Sequence, residues 1–206
     1  MTARIRLGFM THNEGAGDAR RIYAETLDLF TAAEELGFDA AWVAQHHFKE
    51  RAGRLPSPFP FLAAASQRTG WLRLGAAVVV LPLEEPLRVA EDAAVVDALS
   101  GGRLELGLGA GGDPDEFDAF GRDLQARQAR TAEGFDLLRR AFCGEVLGSR
   151  GQHLEPPALG LAGRMWQGVM SAPSAEAAAR RGMGLMLAFV LAQGFYLSRH
   201  MEEESN

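Results

Sequence analysis

The chain has 206 residues, with 21 Lys plus Arg against 27 Asp plus Glu and a formal charge of −6. That length suits one domain, or one and a fraction, at roughly 100–200 residues per domain. The acidic balance carries no basic block, which argues against nucleic acid or an anionic membrane surface as the main partner, and the lone Cys143 excludes an internal disulfide and any multi-cysteine metal site.

Hydrophobic periodicity predicts strands alternating with helices. Ile5–Met10 is a short apolar run suited to a buried strand. Asp18–Leu36 reads as a helix with Ile22, Leu29, Ala33 and Leu36 on one stripe and Gly37 just past its end. Ala40–Ala44 is the second strand, and Pro60–Arg68 the second helix. Leu74–Leu81 is continuously apolar, as a parallel strand covered on both faces should be. Pro86 opens a third helix over Leu87–Leu99, because proline is tolerated in the first turn, and Ser100-Gly101-Gly102 stops it. Arg103–Leu108 is the fourth strand, followed by a helix from about Gln128 to Phe142. Gly144–Gly163 is a Gly- and Pro-rich excursion. Met165–Val169, Ala175–Arg181 and Leu185–Val190 complete the series as strand, helix and strand.

The opening MTARIRLGFM runs directly into a strand, with no export signal. No apolar run reaches the ~18 residues of a membrane span, and Met183–Leu191 is about half that. The expectation is a cytoplasmic protein. Strands and helices in alternation mean βαβ units and a parallel sheet. Six units fit an open doubly wound sheet, whereas a closed eight-fold barrel takes about 250 residues. Arithmetic alone favours the open sheet.

Three stretches carry chemistry. Gly107-Leu-Gly109-Ala-Gly111-Gly112 is a literal G-x-G-x-x-G after a strand. Asp113-Pro114 follows it, so no helix opens at the last glycine, and the motif falls in the fourth unit rather than the first. A loop letting backbone approach a ligand closely, or a plain tight turn, both fit better than a dinucleotide fingerprint. His46 and His47 end the second strand, where ligand sites form in parallel sheets. Adjacent strand residues point to opposite sides, so the pair does not share a metal. Two readings stand open: one of them serves a site, or each is a structural histidine bonding a neighbouring carbonyl. Ser171 and Ser174 flank a helix start, suiting a phosphate and equally an ordinary N-cap.

Taken in order, several segments resemble the bacterial luciferase-like flavin-dependent monooxygenase family. They are Gly37–Phe48, Leu74–Pro82, Pro86–Asp92, Leu99–Gly112, Phe117–Gly121 and Trp166–Ser171. The resemblance covers roughly residues 4–190 and implies an incomplete TIM (β/α)8 barrel of about six βα units over 1–190, with a tail over 191–206. It implies a monooxygenase that takes reduced FMN from a separate flavin reductase and uses O2 to oxygenate a small organic substrate. A deazaflavin-dependent oxidoreductase and a shortened, non-catalytic flavin-binding protein are the alternatives. By the same resemblance His46 is the catalytic histidine beside the flavin ring. Ala77 and Val78 form a non-prolyl cis peptide under the isoalloxazine, Gly109, Ala110 and Gly111 form the loop after strand four, and Met170, Ser171 and Ser174 hold the phosphate end. No metal is implied.

The chain departs from luciferase at Gln45, where luciferase has a carboxylate, and at Ala110, where it has a phosphate-pairing arginine. Arg127 or Arg130 is positioned in sequence to substitute. Family members are longer, and the expectation is that the last two barrel strands are absent here. Unpaired strand edges then predict a homodimer, or Phe189–His200 refilling the gap, with Glu202–Glu204 solvated.

Overall fold

A computed structural model describes residues 5–15, 17–49 and 53–187. Six parallel strands lie in the order β1 to β6: Gly8–Thr11, Ala40–Val43, Arg73–Val80, Leu104–Gly109, Met165–Gly168 and Gly184–Met186. Between them run helices α1 (Ala19–Glu35), α2 (Pro58–Ser66), α3 (Pro86–Leu99), α4 (Pro114–Ala119), α5 (Arg127–Phe142) and α6 (Ala172–Arg180). An open doubly wound sheet reverses its strand order partway. This order never reverses, so every crossover runs the same way and the sheet is a curled part of a (β/α)8 barrel.

The curl is visible in one contact. Trp42 on β2 meets Trp166 on β5 edge to face, with ring centroids 5.9 Å apart. Three strand spacings in a flat sheet would separate them by about 14 Å. Both indoles fill the concave side, and glycines on neighbouring strands make room for them. A Cβ at Gly75 would fall inside the Trp42 ring, and one at Gly184 inside that of Trp166. On the convex side, Val43, Leu74, Ala76, Leu104 and Leu106 join Phe30, Leu62, Ala90 and Leu138 of the helices in one buried core.

The N-terminal ends of the strands are pinned by ionic clamps. Arg103 donates to the carbonyls of Ser66 (3.0 Å), Thr69 (2.9 Å), Leu72 (2.8 Å) and Ser100 (2.6 Å). Glu34 on α1 accepts from the N–H groups of Gly70 (2.8 Å), Trp71 (2.8 Å) and Leu72 (2.6 Å). Burial opposes its ionisation, yet these N–H groups hold the carboxyl below its usual range. Asp97 takes a bidentate pair from Arg164 at 2.6 and 2.9 Å, tying α3 to the segment entering β5.

Several boundaries differ from the sequence expectation. β1 starts at Gly8, not Ile5, and Ile5 and Leu7 are 91% and 57% exposed. β1 is a sheet edge among the described residues, so nothing beside it buries those side chains. The buried stripe of α1 is Ile22, Thr26, Phe30 and Ala33, whereas Leu29 and Leu36 are exposed. A helix does follow the glycine loop. Asp113 accepts from Asp115 N–H as N-cap of α4, and Pro114 takes the first helical position. The expected residues Phe189–His200 and Glu202–Glu204 lie outside the described residues.

Candidate active site

A cleft of ≈ 730 Å³ opens at the C-terminal end of the sheet, lined from Met10 of β1 to Met186 of β6. All nine residues singled out by sequence line it: His46, Ala77, Val78, Gly109, Ala110, Gly111, Met170, Ser171 and Ser174. The C-terminal strand ends are where barrels of this kind carry their chemistry.

His46 follows β2, with its backbone N–H donating to Leu55 O at 3.1 Å. Its Nε2 lies 3.0 Å from Nδ1 of His12, and the two rings stack at 5.3 Å. Burial and the neighbouring His12 lower the His46 pKa, while Glu116 and Glu14 oppose the shift. His46 is therefore a neutral imidazole, ready to accept a proton, near pH 7. His47 turns the other way, as alternation requires. It is buried, stands edge-on to Phe120 at 4.8 Å, and its N–H donates to Glu116 Oε1 at 3.0 Å.

Gln45 uses both ends of its amide. Its Oε1 accepts from Val80 N–H (2.7 Å), and its Nε2 donates to Pro56 O (2.9 Å) and Glu84 Oε1 (2.7 Å). A carboxylate has no hydrogen to give those two acceptors. Gln45 thus ties the end of β2 to the end of β3.

The Ala77–Val78 peptide is cis. The β3–β4 register shifts between Ala76 and Val79. Val78 packs where Gly109 and Gly168 leave space, since Cβ atoms there would come within 2.6 and 3.3 Å of it. Beyond β4, Asp113 pairs with Lys49 at 2.7 Å, which lowers the carboxyl and raises the ammonium. Arg127 of α5 lines the cleft and donates to Leu124 O at 3.0 Å. Arg130 is outside the lining and reaches Pro82 O at 3.4 Å. Of the two arginines raised by the sequence, only Arg127 stands at the cleft.

At α6, Ser171 and Ser174 form a reciprocal capping box. Ser174 Oγ accepts from Ser171 N–H at 3.1 Å and Ser171 Oγ from Ser174 N–H at 3.4 Å. The cap reading is thus realised in the protein itself. Met170 is 63% exposed at the mouth.

Sequence reasoning missed His12, Glu116 and Gln167. His12 follows β1 as His46 follows β2, so the strand-end rule was sufficient to raise it. Glu116 is buried on α4, lines the cleft and receives the His47 N–H. Gln167 also lines the cleft, and its buried Oε1 has no hydrogen-bond partner.

The model of the luciferase-like monooxygenase family matches residues 4–202. The chain belongs to that family. It is 42% identical over 156 residues to the uncharacterized protein y4wF of Sinorhizobium fredii, covering 75% of this chain and 45% of that protein. Monooxygenase RslO1 from Streptomyces bottropensis superimposes with a TM-score of 0.78 at 34% identity, over 89% of this chain and 59% of its own. The oxygenating constituent of 3,6-diketocamphane monooxygenase from Pseudomonas putida, solved in complex with FMN, shares the fold at a TM-score of 0.77 and 19% identity, over 87% of this chain and 56% of its own. The chain therefore spans about half the length of the relatives it matches.

Proposed function

We propose that the cleft binds reduced FMN and that the protein is a flavin-dependent monooxygenase, oxygenating a small organic substrate with O2. A separate reductase would deliver the reduced flavin. The observation that carries this reading is the gathering of the nine residues expected from sequence, from four separate strand ends, round one cleft.

The residues present suit a flavin. Gln167 Oε1 is a buried acceptor without a donor, and a hydroxyl- or N–H-bearing ligand would satisfy it. Ser171, Ser174 and the N-terminus of α6, with Arg127 on the same lining, would hold the phosphate. Gly109, Ala110 and Gly111 would let backbone lie against the ligand, and the Ala77–Val78 segment would support the ring. Ala110 brings no guanidinium, so affinity rests on Arg127 and the helix end. Bound reduced flavin supplies the electrons that activate O2. Met10, Val80, Val169 and Met170 give the cleft an apolar lining that excludes water, and neutral His46 moves the proton.

The test is an anaerobic titration with reduced FMN, followed by admitting air. Saturable binding near one flavin per chain, and reoxidation at a rate unlike that of free flavin, are expected. Reoxidation as in buffer, with no saturable change, would overturn the reading. A deazaflavin binding where reduced FMN does not would move the protein to the hydride-transfer alternative.

We also propose that the chain works as a homodimer. Among the described residues β1 pairs only with β2 and β6 only with β5. Apolar Ile5, Leu7, Leu185 and Leu187 are exposed beside those edges, and an open edge is a template for another chain. Sedimentation equilibrium at micromolar concentration should give twice the chain mass, and a cooperatively folded monomer would contradict it.

A further inference from the structure

Three features of the cleft wall converge on His12. First, its Nδ1 sits 3.0 Å from Nε2 of His46, with the rings stacked 23° from parallel. A contact of that length between two nitrogens needs one hydrogen between them, so the tautomers of the two rings are linked. Second, His46 Nδ1 has no partner among the described residues, and His46 lines the cleft whereas His12 does not. Third, Gly53, at φ +117, leaves no room for a side chain. A Cβ there would collide with the His12 carbonyl and come 2.7 Å from His46 Cδ2. The segment that carries Leu55, acceptor of the His46 N–H, thereby packs tightly against the His46 ring and the His12 backbone.

We propose that His12 is a positioning residue for His46, binding its Nε2–H so that Nδ1 is the nitrogen offered to the cleft, and that the pair relays one proton out of the site. This rests on the reading of His46 as the acid–base group. In the relay an O–H or N–H bond of the bound molecule breaks, its electron pair staying on that molecule, and the proton bonds to His46 Nδ1. The His46 Nε2–H bond breaks, and its hydrogen passes to Nδ1 of His12. His46 is left neutral in its other tautomer, and the positive charge resides on His12, outside the cleft lining. Nothing is oxidised or reduced in the step.

The groups around the pair agree with a single shared charge. Glu14, on the loop after β1, and Glu116, on α4, favour a proton on His46, while burial, His12 and His47 disfavour it. Two adjacent imidazolium rings are thereby disfavoured, and the pair should titrate in two separated steps.

Long-range 1H–15N correlation spectra of the ligand-free full chain across pH test this without any flavin. The expected result is a His46 protonated at Nε2 and bare at Nδ1, titrating below the ordinary imidazole value of about 6.5, with its resonances and those of His12 responding together. Independent titration of the two rings near that value, or an Nδ1–H tautomer of His46, would overturn the proposal. His12→Phe keeps a flat ring without nitrogens. It should raise the His46 titration, move the acid limb of reduced-FMN reoxidation to higher pH, and slow that reaction by about tenfold, with flavin saturation unchanged. His12→Gln, which accepts but does not titrate, should restore the tautomer without the rate. Wild-type tautomer and pH profile in His12→Phe would remove His12 from the mechanism. If wild-type protein ignored reduced FMN, the functional reading would fall, and the tautomer and coupled titration would still decide the pairing.

Discussion

The two ends of this sheet treat their polar groups in opposite ways. At the N-terminal end, Arg103, Glu34 and the Asp97–Arg164 pair each satisfy several partners at once. At the C-terminal end, three buried side-chain atoms have no hydrogen-bond partner among the described residues: Asn13 Oδ1, His47 Nε2 and Gln167 Oε1. Buried polar groups are rarely left unpaired, because each costs roughly 1–3 kcal/mol. One end is built to hold the sheet. The other leaves Gln167 Oε1 unpaired on the cleft lining beside Gly109 and Gly168, whereas Asn13 and His47 lie off that lining.

Substitutions at the two ends should therefore separate stability from chemistry. The largest stability loss is expected for Asp97→Ala, which strands a largely buried Arg164. Breaking such a pair costs about 3–5 kcal/mol, readable as a lowered urea midpoint, with flavin affinity of the folded fraction unchanged. At the other end, His46→Ala should abolish turnover, or slow it by about 10²–10⁴-fold. Flavin affinity should stay within about tenfold, or ~1.4 kcal/mol. His47→Ala should do the reverse, costing about 1–3 kcal/mol of stability while chemistry persists. If His47→Ala silenced a stably folded protein and His46→Ala did not, the division of labour along β2 would be inverted.

Ser171→Ala tests a place where both roles meet. It removes a cap worth about 1 kcal/mol and should weaken reduced-FMN binding in calorimetry. Equal affinity for flavin would leave the α6 terminus a cap and nothing more. The smallest effect is pH-dependent and belongs to the N-terminal end. The Glu34 carboxyl is depressed in the folded protein. Its contribution is present above its unfolded value of about 4.5 and is lost as pH falls through the lower folded value. Unfolding midpoints of wild type and Glu34→Gln should therefore converge as pH falls below about 4.5, and a constant gap would contradict the clamp.

Much of the fold was legible because strands and helices obey local rules. Pro86 at a helix start, Gly37 past a helix end and the apolar run at Leu74–Leu81 each act through neighbours in sequence. The failures came where partners are remote or missing. Ile5 and Leu7 read as buried, but no neighbouring strand covers them. Pro114 read as a breaker, although with Asp113 it is a helix start. His46 was found by its place at a strand end, whereas its contact with His12 spans 34 residues and carries no local signature. Likewise the role of Gln45 depends on Glu84, 39 residues away.

Hydrogen exchange of the wild-type protein, with and without anaerobic reduced FMN, tests the division most directly. The account predicts new protection in segments 44–49, 109–117 and 167–175, and unchanged exchange in 66–73 and 97–104. Protection confined to the N-terminal end of the sheet, or the same C-terminal protection produced by NADH at lower concentration than by reduced FMN, would contradict it.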